Sequence, residues 1–257
     1  MFSNTFAKMT LVSAVALAAA GSAQAALGYF EGFEPTYTPG IPNWTSIVSA
    51  EASGTGGITA RTGGYYGAVA ASGTAYTQFG GYSSSFGVGY VASVSVYLDT
   101  AWADGTGFEY SVASNNQSGV HLRDFVFHIA MVSGNLQVQA DNSAYGLSGN
   151  AYIVNQGAFG TVTSSGWYTM QHTFDNVGGA LAVTMALLDS ANQTVFTRTR
   201  SDPTDLIASV VGGNRYGWFA TRNVGLAIDD TSLTAIPAPG AIALLGLAGL
   251  VARRRRN

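Results

Sequence analysis

Side chains able to do acid–base or nucleophilic chemistry are few in this chain and widely spaced. The three histidines are His121, His128 and His172. A Ser-His-Asp relay needs a serine on a constrained turn within reach of an imidazole, and no Gly-x-Ser-x-Gly turn occurs. His121 and His128 stand seven apart in a stretch that reads as one strand. A continuous strand sends them to opposite faces, so they make no metal pair. Their expected role, with His172, is hydrogen bonding within a sheet. The glycine-rich segment 54–67 lacks the strand-then-helix setting that a phosphate-cradling loop requires. The chain has no cysteine, which excludes thiol nucleophiles, Cys₄ zinc sites and a disulfide-stapled scaffold.

Sugar recognition is the chemistry these residues suit better. It needs an aromatic face with polar neighbours that fix hydroxyl groups. Trp102, followed by Asp104 and the loop Gly105-Thr106-Gly107, is the leading candidate. Tyr65 with Tyr66, and Trp218 with Arg215, come next. Trp44 and Trp167 read as core or rim packing, the commoner use of large rings in β proteins.

Strands must position these groups. Only 10% of residues are charged and 33 are glycine, a composition of strands and turns and not of helical bundles. Residues 90–99 alternate Val94, Val96 and Leu98 with Ser93, Ser95 and Tyr97; residues 121–132 alternate Phe125, Phe127 and Ile129 with Asp124, Val126 and His128. With 135–140 after the turn Ser133-Gly134, the second stretch makes a hairpin. Segments 166–175, 180–189 and 193–200 continue a meander through turns at 177–179 and 189–192. Strands resume at 216–223 and 224–233, a dozen or more in all. One short helix is expected from Ser201 or Asp202 to Gly212, with Pro203 at its first position.

The two ends read as addresses. Lys8, the apolar stretch Leu11 to Ala20 and the small-x-small pattern Ala23-Gln24-Ala25 form a secretory signal, with cleavage by signal peptidase after Ala25. Between Ala26 and Ala235 six arginines face fourteen carboxylates, a net charge of −8, which excludes nucleic acid as a partner. At the other end stand Pro237-Ala238-Pro239-Gly240, an apolar run of twelve residues from Ala241 to Ala252, and Arg253-Arg254-Arg255-Arg256. The run makes about 18 Å of helix against a hydrocarbon core of roughly 30 Å. On these residues the tail, 236–257, resembles the bacterial PEP-CTERM sorting signal in its Pro-x-Pro-Gly variant. The resemblance implies an inner-membrane anchor, transient or retained, read by an exosortase-type transpeptidase, with delivery to the cell surface or extracellular matrix.

A second resemblance covers roughly residues 28–234 of the domain read as 26–235. The stretches "GYFEGFE", "SVSVYLD", "GTGFEYSV", "GWYTMQHTF", "VTMALLDSANQTVF" and "LAIDDTSL", in that order, are similar to the concanavalin A-like lectin and glucanase jelly roll of laminin-G-like domains. It implies an all-β, antiparallel β-sandwich whose first and last strands pair, bringing Glu31 or Glu34 near Asp229 and Asp230. It also implies a structural calcium ion, with Glu34, Asp229 and Asp230 as the oxygen ligands. The glucanases of this class carry Glu-x-Asp-x-x-Glu, whereas Glu31, Glu34, Glu51 and Glu109 have no such spacing, and Glu109 lacks a partner two residues along its strand. The expectation is therefore a noncatalytic, carbohydrate-binding domain of an exported surface protein, with exopolysaccharide or another glycan as partner. A structural coat protein without a small ligand, and a hydrolase whose site the sequence does not mark, stay open at this point.

Overall fold

A computed structural model describes residues 29–34, 44, 48–79, 89–115, 121–142, 159–201 and 217–236. Ala23 and Ala25, the expected helix beyond Ser201, Arg215, and the tail residues Pro237, Ala238, Pro239, Gly240 and Arg253, Arg254, Arg255 and Arg256 lie outside them.

The described residues are strands joined by turns, with a single 3-10 turn at Thr55–Gly57. In chain order the strands are β1 (Tyr29–Glu31), β2 (Val48–Ala52), β3 (Tyr65–Val69), β4 (Ser72–Thr77), β5 (Gly89–Leu98), β6 (Gly107–Asn115) and β7 (His121–Val132). They continue with β8 (Asn135–Asn142), β9 (Gly160–Val162), β10 (Gly166–Val177), β11 (Ala180–Leu188), β12 (Thr194–Ser201), β13 (Gly217–Arg222) and β14 (Leu226–Ala235). The strongly alternating stretches all became strands within a few residues of the expected bounds. The short strands β2, β3, β4 and β9 have no such alternation and were not expected.

Two antiparallel sheets result. One has eight strands, ordered β12-β11-β10-β5-β14-β3-β2 with β1 also on β14; the other has six, ordered β4-β13-β6-β7-β8-β9. Tight turns set the hairpin registers. Ser133 and Gly134 have φ of 51° and 75°, and Gly178 and Gly179 have 63° and 93°. Two successive positive φ values match the twist of the strands that such a turn joins. The sandwich is the all-β, antiparallel one that the ordered fragments imply, with its first and last strands paired: Tyr29 faces Leu233 and Glu31 faces Thr231.

Strand alternation fills the space between the sheets. Val94, Val96 and Leu98 from β5, Met170 and Phe174 from β10, and Val183, Met185 and Leu187 from β11 meet Phe108, Tyr110, Phe125, Phe127, Ile129 and Phe219 of the other sheet. Tyr90 stacks on Phe174 at 4.3 Å and Tyr110 on Phe219 at 4.5 Å. Trp44 is buried against Phe219, at 5.7 Å. At Gly67 a Cβ would stand 2.5 Å from carbons of the Phe33 ring, so any larger residue would have to displace that ring.

β14 departs from simple alternation. Between Asp229, opposite Ser95, and Ser232, opposite Ser93, it carries one residue more than β5. Asp230 takes φ of 46° there, a bulge in which one residue leaves the ladder. Ile228 points into the core before the bulge, and Leu233 points into it afterwards.

One polar group sits at the centre. His172 is fully buried on β10, its ring 5.0 Å from Phe127 and 5.5 Å from Tyr110. Its Nε2–H donates across the sandwich to the Phe125 carbonyl at 3.0 Å. Burial pushes its pKa down to about 3, against a weaker upward pull from that carbonyl. The folded state therefore resists protonation that the unfolded chain accepts near pH 6.5. This contribution to stability is complete above pH 6.5 and is lost as pH falls toward 3. Thermal melts between pH 7 and 4 should show the parent losing stability as pH falls and His172→Phe losing less. Parallel curves for the two would refute a neutral, buried imidazole.

Candidate functional site

The strands place the sequence candidates in three locations. Trp102 belongs to a turn, its backbone N–H donating to the Asp99 carbonyl at 3.2 Å. Its ring is half-buried and meets Phe108 edge-on at 6.3 Å. Asp104 accepts the Gly134 N–H at 2.8 Å, tying this turn to the β7–β8 hairpin. Trp102 thus packs its ring on the core, and Asp104, itself exposed, closes the turn.

Tyr66 belongs to the second location, the outward face of the eight-stranded sheet, while Tyr65, its neighbour on β3, takes the opposite face with Val69. Segment 53–64 runs over the outward face as a strap. Tyr66 is buried and its hydroxyl donates to the Thr55 carbonyl at 2.9 Å. Trp167 sits beside it, with ring centroids 6.5 Å apart, and donates Nε1–H to the Thr59 carbonyl at 2.7 Å. Glu34 Oε1 accepts the N–H of Gly64 at 2.8 Å and of Tyr65 at 3.2 Å. Asp229 Oδ2 accepts from Arg61 at 2.9 Å and Thr62 at 3.3 Å, while its Oδ1 accepts from Asp230 at 2.9 Å. The Thr62 hydroxyl donates to Asp230 Oδ1 at 2.6 Å. Glu34, Asp229 and Asp230 thus all bond to one short stretch, residues 61–65. One oxygen of each is engaged by backbone or hydroxyl donors of the strap, which compete for lone pairs calcium would take. Among the described residues no group of three or more His, Asp or Glu side chains is arranged to hold a metal ion. Asp229 is fully buried, and desolvation pushes its carboxyl up to about 6 despite these donors.

The third location is the outward face of the six-stranded sheet, and most of it went unforeseen. Its register sets Ala220, Glu109, His128 and Gln139 in one row across β13, β6, β7 and β8. Tyr76, Trp218, Ser111, Val126 and Asp141 form the next, beginning on β4. Glu109 does have a partner, across the ladder and not along its own strand: its Oε1 lies 2.7 Å from His128 Nδ1, both groups buried. Asp141 pairs with Arg200 of β12, joining the two sheets at one edge.

Opposite Ser114 and Asn115, β7 carries one extra residue between Arg123 and His121. This bulge overturns the expectation that His121 and His128 take opposite faces. It brings His121 to the side of Asp124, Nε2 to Oδ2 at 3.6 Å, on the same face as His128. Burial pushes the Asp124 carboxyl up, and His121 pulls it partly back. Glu109, Ser111, Asp124, Val126, Trp218 and Ala220 line a small depression here. Of the aromatic candidates, Trp218 alone stands among convergent polar groups. The signal for this site was the run of polar residues at outward positions of β6 and β7; strand register was needed to unite them.

No protein-family model matches the chain, and no curated protein matches it in sequence. Solved structures do resemble it. The carbohydrate esterase of Shiga toxin-encoding bacteriophage phi24B is 14% identical with a TM-score of 0.50, over 82% of this chain and 99% of that one. The Emp47p carbohydrate recognition domain is 11% identical with a TM-score of 0.48, over 81% and 95%. The exoplasmic/lumenal domain of VIP36, in its Ca2+/Man3GlcNAc-bound form, is 11% identical with a TM-score of 0.44, over 82% and 89%. These are likenesses of fold.

The strap contacts generate two expectations. Asp229→Asn sets a donor against a backbone N–H and should cost about 1–3 kcal/mol. A carboxyl raised on folding stabilises fully below its unfolded pKa, about 4, and loses that contribution as pH rises through 6. The deficit of the variant should thus be greatest near pH 4 and shrink toward pH 7 in thermal melts. Millimolar calcium or chelator should move the parent melting temperature by less than about 1 °C. A rise of several degrees with calcium would mean that the ion displaces the strap amides.

Proposed function

We propose that this sandwich is a noncatalytic glycan-binding domain of an exported bacterial surface or extracellular-matrix protein. One observation carries the binding part: Trp218 lines a depression with two carboxylates and a serine hydroxyl on the outward face of the six-stranded sheet. An indole offers an apolar face to a sugar ring, and fixed oxygens accept from its hydroxyl groups. Exposed apolar groups alone would suit a coat protein, whereas this face is polar and built around one ring.

Export and sorting rest on the chain ends. The signal ending at Ala25 directs secretion, and the tail 236–257 is the substrate of an exosortase-type enzyme. Proline disfavours helix in the residue before it, so the Pro237 and Pro239 pattern suits a cleavage site.

The Glu109–His128 contact favours a second reading, hydrolysis with this couple as general base. Release of reducing ends from a bound polysaccharide would establish it, and binding without release would support the noncatalytic reading.

Truncating an aromatic anchor typically costs about 2 kcal/mol or more, roughly thirtyfold in Kd. Trp218→Ala should weaken glycan binding by that much in a glycan-array or calorimetric titration, while Trp102→Ala leaves it within about twofold. Equal losses from both would reject the site. For sorting, intact mass of the protein from its native host should show a chain ending near Pro239 when the sorting enzyme is present. An intact tail in the membrane fraction would leave a simple anchor.

A further inference from the structure

We infer that the Trp218 depression selects glycans that carry no acidic groups and turns away uronate or sulfated polysaccharides. This rests on the glycan-binding reading and adds the class of ligand. The lining residues are Glu109, Ser111, Asp124, Val126, Trp218 and Ala220. Two are carboxylates and none is basic.

Among the described residues Arg123 adjoins Asp124 on β7 but does not line the depression, and two further cations near it are already engaged. His121 stands against Asp124, and Arg200 is paired with Asp141. On β13 Arg222 follows Ala220 by two positions, opposite Gly107, and does not line the depression. An acidic glycan would bring its charge against Glu109 and Asp124 with no cation among the described lining residues to receive it. Surface charge works in the same direction, since the −8 carried between Ala26 and Ala235 slows the approach of a polyanion.

Specific atoms are placed for a hydroxylated ligand. Ser111 is 2% exposed, and its Oγ has no hydrogen-bond partner among the described residues. Asp124 Oδ1 is likewise unpartnered among them. Buried polar atoms are costly when unpaired, and sugar hydroxyls, which both donate and accept, satisfy a serine and a carboxylate at once. Val126 and Ala220 leave the rest of the floor apolar, matching the C–H face of a neutral ring. The Glu109–His128 bond holds the carboxylate in place.

The test is affinity electrophoresis of the full chain at about 0.15 M salt, in gels containing dextran, galactomannan, arabinoxylan or polygalacturonate. Retardation by a neutral polymer and none by polygalacturonate is expected. Trp218→Ala should reduce the retardation about tenfold or more. Asp124→Asn, which keeps size and removes a charge, should gain binding to polygalacturonate. Ser111→Ala serves as a second site variant should Trp218→Ala fail to give a cooperative melt. Polygalacturonate retarding the parent as strongly as a neutral polymer would overturn the charge selection and leave glycan binding standing. Retardation by none of the polymers would overturn both readings. Neutral binding indifferent to Trp218 and Ser111 would move the site elsewhere and overturn the inference.

Discussion

β14 is bonded on one edge to β5 and on the other to β3 and then β1, and the rest of the sandwich depends on keeping its apolar residues inward along that whole length. Side chains alternate with a period of two, so Ile228 and Leu233, five apart, cannot both face the core of an unbroken strand. The bulge between them supplies the missing residue. It leaves Asp229 outward and buried, where its carboxylate becomes the acceptor for the strap. One extra residue therefore secures the core on one side and an anchoring point on the other.

The outward faces of the two sheets are consequently used in different ways. On the eight-stranded sheet the strap lies over Trp167 and Asp229, whose donor and acceptor groups hold its backbone. Flexible glycines in this strap cost conformational entropy when ordered, and side-chain bonds from Glu34, Asp229, Asp230, Tyr66 and Trp167 offset that cost. On the six-stranded sheet the outward rows are polar across four strands, with acid–imidazole and acid–guanidinium pairs satisfying some members. Others, Ser111 and Gln139 among them, have buried side-chain atoms unpaired among the described residues. Native structures keep few such atoms.

Histidine shows how closely environment governs role in this fold. His172 and His128 both lie on strands in stretches of similar alternation. His172 points between the sheets, among phenylalanine and tyrosine rings that hold it neutral, and bonds to a carbonyl of the opposite sheet. His128 points outward and meets a carboxylate of the neighbouring strand. Their chemistry differs because the faces they occupy differ.

The strand pattern was legible without coordinates because apolar alternation is a local property: Val94-Val96-Leu98 and Phe125-Phe127-Ile129 mark their strands unaided, and Ser133-Gly134 marks its turn. The order of such fragments sufficed for the fold class. The short strands β2, β3, β4 and β9 were not legible, since neighbours and not propensity hold them extended. Nor was the site. Glu109 meets His128, and Trp218 meets Ser111, through cross-strand register. Register depends on bulges, such as the one that moves His121 to the face of His128. By itself the sequence determined which segments are strands, which turns join them and what charge the domain carries, because each is written in neighbouring residues. Only the tertiary structure decided which polar groups share a face and which carboxylates are engaged by backbone amides, because those follow from pairing between strands far apart in the chain.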